Sequence, residues 1–228
     1  MKNKKIFIIG ESHTRHFAFR DNIAPVFMGS GKTINLDNIE ILQENIDKVI
    51  DNIVNLNDSL IFLYIGEPNC RIKLANHWTP HWDELHHGKE INTKPDFEYL
   101  ERCIRKYITI DMKNIDYLIT PTCAYDPVLP SLEVFNDFLK KQFGEKVVDI
   151  FQYTKNEQGK VLDDLKAKDW KKDPIHLNSK ICDIFLEELN QRNIIDSPAY
   201  YSQQLEGHFG THLLRCTDKS KFGSYIIK

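Results

Sequence analysis

Three short stretches of the 228-residue chain combine residue types able to do chemistry. Gly10-Glu11-Ser12-His13-Thr14-Arg15-His16 puts a hydroxyl next to imidazoles and a carboxylate. Gly66-Glu67-Pro68-Asn69-Cys70-Arg71 offers an amide donor in Asn69 and an anion partner in Arg71. Asp173-Pro174-Ile175-His176-Leu177-Asn178 spaces a carboxylate and an imidazole three residues apart, so that both can share a face in a turn or a first helical turn. A serine hydroxyl is a weak nucleophile until an imidazole takes its proton. A carboxylate beside that imidazole orients it and stabilises its protonated form. The negative charge that then develops needs donors around it. Each stretch also has a plain structural reading. Ser12 can cap a helix, Asp173-Pro174 makes a good helix start, and residues 66–71 can be a polar turn.

The elements that must position these stretches follow from the apolar pattern. Ile6-Phe7-Ile8-Ile9 is a continuous apolar run ending at Gly10, as in a strand buried on both faces of a parallel sheet. Residues 59–65 form a second run ending at Gly66, and residues 117–120 a third ending at Pro121. A weaker run covers 146–150. Between them residues 38–55, 96–109, 131–143 and 176–192 carry apolar positions at helical spacing. Strands alternating with helices predict an α/β fold with a mainly parallel sheet. In such sheets ligands sit beyond the carboxyl ends of the strands, where two of the three stretches begin.

Composition narrows the function classes. The balance of 30 Lys+Arg against 33 Asp+Glu gives a formal net charge of −3, with no basic excess for nucleic acid or anionic membranes. No apolar run approaches the roughly 18 residues of a membrane span. The apolar stretch after the N-terminal lysines is shorter than an export signal needs. Five widely spaced cysteines without a CxxC pair suit reduced thiols and a cytoplasmic setting. At this length folding removes roughly 70% of the extended-chain surface from water, enough for one sizeable core. Residues 1–195 are therefore read as one domain with an insertion at about 70–95, and 196–228 as an irregular C-terminal extension of it.

Taken together, GESHTRHF at 10–17, GEPNCR at 66–71 and DPIHLN at 173–178 resemble the SGNH/GDSL hydrolase superfamily. The resemblance implies a three-layer α/β/α domain, flavodoxin-like in strand order, with about five strands. It implies Ser12 as nucleophile, His176 as general base and Asp173 as its orienting partner. Glu11 stands where the family has aspartate. The middle block resembles a branch with a Gly-Glu-Ile-Asp-Cys-Arg pattern, in which Asn69 replaces the acid. By resemblance the oxyanion donors are the Ser12 N–H, the Gly29 N–H (or that of Gly31) and the Asn69 side chain. If Asn69 points away, the site is either weak or built for another donor set. Arg71, His13 and Trp78 are expected to touch substrate. The implied reaction is hydrolysis of an acyl ester, with O-acyl groups on a carbohydrate as substrate class. Transfer to a sugar hydroxyl in surface-polysaccharide biosynthesis, or a binding protein that has lost the chemistry, stand beside it. No cofactor or metal is called for, and activity should rise with pH through roughly 6 to 7.5 as the imidazole loses its proton.

Other signals are weaker. Gly29-Ser30-Gly31-Lys32-Thr33 lacks the glycine that a phosphate loop needs five residues before Gly31, where Val26 stands. The insertion carries His77, His81, His86 and His87 with Trp78, Trp82, Asp83 and Glu84. It can be read as a lid, a metal site or a solvated loop. Cys70 has no identifiable base to activate it and reads as a buried thiol.

Overall fold

The structure, a computed structural model, describes residues 3–18, 20–28, 36–53, 56–72, 96–167, 175–201 and 214–215. The apolar run after the N-terminal lysines forms β1 (Lys5–Gly10), which lies mid-sheet. Its neighbours are β2 (Ile23–Phe27) and β3 (Ser59–Tyr64), both parallel to it. Beyond β3 come β4 (Tyr117–Ile119) and β5 (Val147–Val148); beyond β2 comes the two-residue β6 (Leu214–Arg215). The order β5-β4-β3-β1-β2-β6 is parallel throughout. This is the expected three-layer α/β/α arrangement, extended by one short strand from the tail.

The helices are α1 (Ile39–Asp51), α2 (Glu67–Ile72), α3 (Phe97–Tyr107), α4 (Leu129–Phe143) and α5 (Lys180–Gln191). Alternation along β3 shows the two layers. Phe62 and Tyr64 point to one face, where Phe62 meets Phe185 of α5 with ring centroids 5.2 Å apart, and Tyr64 meets Phe17 at 5.6 Å. Ile61 and Leu63 point to the other and are equally buried. Helices α2, α3 and α4 pack on one another, and Tyr107 of α3 meets Phe135 of α4 at 5.6 Å.

Local differences from the sequence reading have local causes. Strand β2 contains Pro25, which hides it as a strand. Ile6 donates to the Asn22 carbonyl and Met28 to that of Gly10, so by alternation the Pro25 nitrogen faces away from β1. On that side β6 pairs only with Val26 and Phe27, and no ladder bond is lost. The last helix starts at Lys180 rather than 176, because the Asn178 Oδ1 accepts from the Lys180 N–H and fixes its start. His176 therefore stands in an extended segment, not in a helical turn. Residues 66–71, open to a reading as a turn, enter the short helix α2 with Pro68 in its first turn. The extension contributes a turn at Pro198–Tyr201, whose fully buried Tyr201 donates its hydroxyl to the Lys4 carbonyl. None of the described helices is long and apolar enough to cross a membrane.

Candidate active site

Strand order reverses between β1 and β3, and parallel α/β sheets take their ligands beyond the carboxyl ends of the strands at such a point. Gly10 ends β1 so close to β3 that a Cβ there would lie 2.0 Å from the Tyr64 carbonyl oxygen. Only glycine fits, and the chain turns at once into a six-residue 3-10 helix, Ser12–Phe17. Ser12 opens that helix and is half-buried. Its Oγ lies 3.0 Å from Nε2 of His176, across 164 residues of sequence. His176 is 6% exposed, so its side chain is shielded, whereas Ser12 is only half-buried.

The segment around His176 is pinned on several sides. The Ile175 carbonyl accepts from the Ala124 N–H at 2.9 Å, and the Asn178 N–H donates to Leu165 at 2.7 Å. The Asn178 amide donates to the carbonyls of Asp164 and Lys166. From the 3-10 helix, His13 Nε2 bonds the Ile175 carbonyl at 3.3 Å, and His16 Nε2 accepts from the Leu177 N–H at 3.2 Å. The His13 and His176 rings lie 4.5 Å apart at 36°. Burial pushes the His13 pKa down to about 3, and pushes that of His16 well below the usual range, so both imidazoles are neutral.

Beneath them sits a charged group. Arg71 bonds Glu67 twice within α2, Nε to Oε1 at 2.7 Å and Nη2 to Oε2 at 3.2 Å, with both side chains buried. Burial would raise the Glu67 pKa, but the Arg71 guanidinium outweighs it and holds the carboxyl below its usual value. Glu11 shows the opposite. Burial first, and the Glu67 charge second, raise its pKa well above the ordinary range, so Glu11 is a neutral acid. Its Oε1 accepts from the Glu67 N–H at 3.1 Å, which caps α2 from the residue just after β1.

The sequence-predicted site residues therefore divide. Ser12 and His176 meet. His13 and Arg71, expected at substrate, are buried behind the pair, where His13 supports the His176 segment and Arg71 neutralises Glu67. Asn69 is turned away: its amide donates to the Tyr99 hydroxyl at 3.0 Å and to Cys103 Sγ at 3.4 Å, and its carbonyl oxygen accepts from the Leu36 N–H. Tyr99 passes the chain on to Asp37 at 2.9 Å. With both amide hydrogens engaged there, Asn69 offers no donor at Ser12 in this arrangement. Asp173, Gly29 and Trp78, with the rest of the insertion from residue 73 to 95, lie outside the described residues. His16 was not singled out from sequence. Its signal is the spacing His13-x-x-His16, one helical face directly after Ser12.

Among the described residues, one set could bring three ligand atoms together: His13, Glu67 and Cys123, within 4.8 Å of one another. Its chemistry is that of an internal hydrogen-bonded cluster. Both Glu67 oxygens bond a guanidinium, and burial, then Glu67, raise the Cys123 thiol well above its usual pKa. A cation there would face the Arg71 charge and a protonated thiol.

No family model and no curated protein matches the chain. It is similar to a solved structure from Streptococcus pneumonia described as that of a "putative platelet activating factor". The two share 13% identity over 83% of this chain and 84% of that one, with a TM-score of 0.48. At that level the similarity carries no argument about chemistry.

Proposed function

We propose that the chain is a serine hydrolase of acyl esters, built as its resemblance to SGNH/GDSL enzymes suggests. The observation that carries this reading is the 3.0 Å contact between Ser12 Oγ and His176 Nε2 at the carboxyl end of the central strand. Nε2 takes the hydroxyl proton as Oγ attacks the ester carbonyl. The Ser12 N–H, in the first turn of its helix, is free of intrahelical bonding and supports the oxyanion. His176 then protonates the leaving alcohol, and water releases the acyl group by the same route in reverse. Asp173 is the partner proposed for the imidazole, on the resemblance, with Gly29 as a further oxyanion donor. O-acyl groups on a carbohydrate, cleaved by water or passed to a sugar hydroxyl, are the proposed substrate class.

The turned-away Asn69 favours one second reading, a binding protein that keeps the fold without the rate. Hydrolysis of p-nitrophenyl acetate and of acetylated sugars separates the two. The proposal expects turnover that rises between roughly pH 6 and 7.5 and falls by about 10⁴ or more in Ser12→Ala. Ligand binding with no turnover that depends on Ser12 would favour the second.

A further inference from the structure

Two neutral histidines one turn apart bond the residues on either side of a third. His13, directly after Ser12, bonds the carbonyl of Ile175; His16 accepts from the N–H of Leu177; His176 lies between them. A carbonyl only accepts, so His13 must carry its proton on Nε2. A backbone N–H only donates, so His16 Nε2 must be bare, and its proton sits on Nδ1. We infer that His13 and His16, in opposite tautomers, form a clamp that sets the reach of the His176 imidazole to Ser12 Oγ, acting as positioning residues. The inference rests on the Ser12–His176 reading above for its catalytic consequence, but the clamp is a property of the fold.

The geometry explains why each must be histidine-like. Both side chains leave the same short helix that presents Ser12, so nucleophile and base are referenced to one element. The other ring nitrogens, Nδ1 of both residues, are buried without a hydrogen-bond partner. For His13 this nitrogen faces Glu67 Oε2 at 3.7 Å and Glu11 Oε1 at 3.8 Å. The charged and titratable groups around His13 are Glu11, Glu67, Arg71, Cys123, His16 and His176; around His16 they are Arg15, His13 and His176. Two unpartnered buried nitrogens are costly in a core. Apolar residues would avoid that cost but could not hold residues 175 and 177. The two positions are not equivalent. The Ile175 carbonyl keeps a second donor in Ala124, whereas loss of His16 strands the Leu177 N–H.

Long-range ¹H–¹⁵N correlation spectra of the full chain at neutral pH read imidazole tautomers directly. His13→Gln and His16→Gln assign the signals by their disappearance. The expected result is His13 as the Nε2–H form and His16 as the Nδ1–H form. His16 as imidazolium, or protonated on Nε2, would overturn the clamp whether or not the protein hydrolyses any ester. The catalytic consequence is read as the rate of fluorophosphonate labelling at Ser12. His13→Gln keeps a donor and His16→Gln keeps an acceptor, so both should label within about threefold of the native rate. His16→Leu should fall at least tenfold, and His13→Leu less, with circular dichroism unchanged. Equal labelling of the Leu and Gln variants would overturn the positioning role. A native protein that does not label, yet shows the two tautomers, would refute the hydrolase reading and leave the clamp standing.

Discussion

Around His176 the buried side chains of His13 and His16 are neutral and bond to backbone; after β3 those of Glu67 and Arg71 are charged and bond to each other. His13 and His16 hold residues 175 and 177 through single nitrogens, with burial suppressing their protonation. Glu67 and Arg71 form a doubly bonded ion pair at the start of α2, and the neutral Glu11 caps that helix. The first group holds the segment that carries the base. The second neutralises itself inside a small region and serves the fold. Residue types alone put His13, Asn69 and Arg71 in one functional class, whereas their partners separate them.

The largest effect is expected where the charged cluster is broken from one side. Glu67→Gln leaves the buried Arg71 guanidinium without its counter-charge and should cost roughly 3–5 kcal/mol in urea unfolding. A loss under about 1 kcal/mol would mean that water reaches Arg71 and that the two regions are less different than drawn.

The neutral cluster predicts a pH signature. An unfolded chain protonates both imidazoles below about pH 6.5 and loses the Glu11 proton above about 4.5. In the folded state the imidazoles stay neutral and Glu11 stays protonated. Between those limits the unfolded chain gains up to two protons at these sites and the folded chain holds one. Their contribution to stability therefore falls as pH falls, by up to about 1.4 kcal/mol per unit. Above pH 6.5 the histidine difference is gone, and the Glu11 difference opposes folding until the folded Glu11 itself loses its proton. Unfolding followed from pH 4.5 to 6.5 should show stability rising with pH; stability climbing steadily toward pH 4.5 would contradict the neutral histidines.

A smaller effect sharpens the status of Asn69. Asn69→Ala removes the acceptor for the buried Leu36 N–H and a donor to Tyr99, and should cost about 1–3 kcal/mol. Its fluorophosphonate labelling rate should change by less than about tenfold. A fall of 10² or more in a folded variant would return Asn69 to the oxyanion site.

How much was legible follows the same division. β1 and β3 were readable because strands buried on both faces must be apolar at every position. β2 was not, because it is short and Pro25 reads as a break unless its edge-facing nitrogen is known. Ser12 and His176 were singled out because the stretches GESHTRHF and DPIHLN resemble blocks of SGNH/GDSL enzymes, while residue type alone left a helix cap and a surface histidine open. The roles of His13, His16, Asn69 and Arg71 depend on the atom opposite each one. For His16 that atom lies 161 residues away, beyond any local pattern. The start of α5 was misplaced because the apolar spacing continues upstream of the Asn178 cap that sets it.

The central claim is that Ser12 is activated by His176. Treating the purified protein with a fluorophosphonate and weighing it intact tests this most directly, beside Ser12→Ala and His176→Ala. A single adduct is expected on the native chain, absent from Ser12→Ala and slowed at least a hundredfold in His176→Ala. An adduct that persists at the native rate in His176→Ala, or no adduct on the native chain, would contradict it.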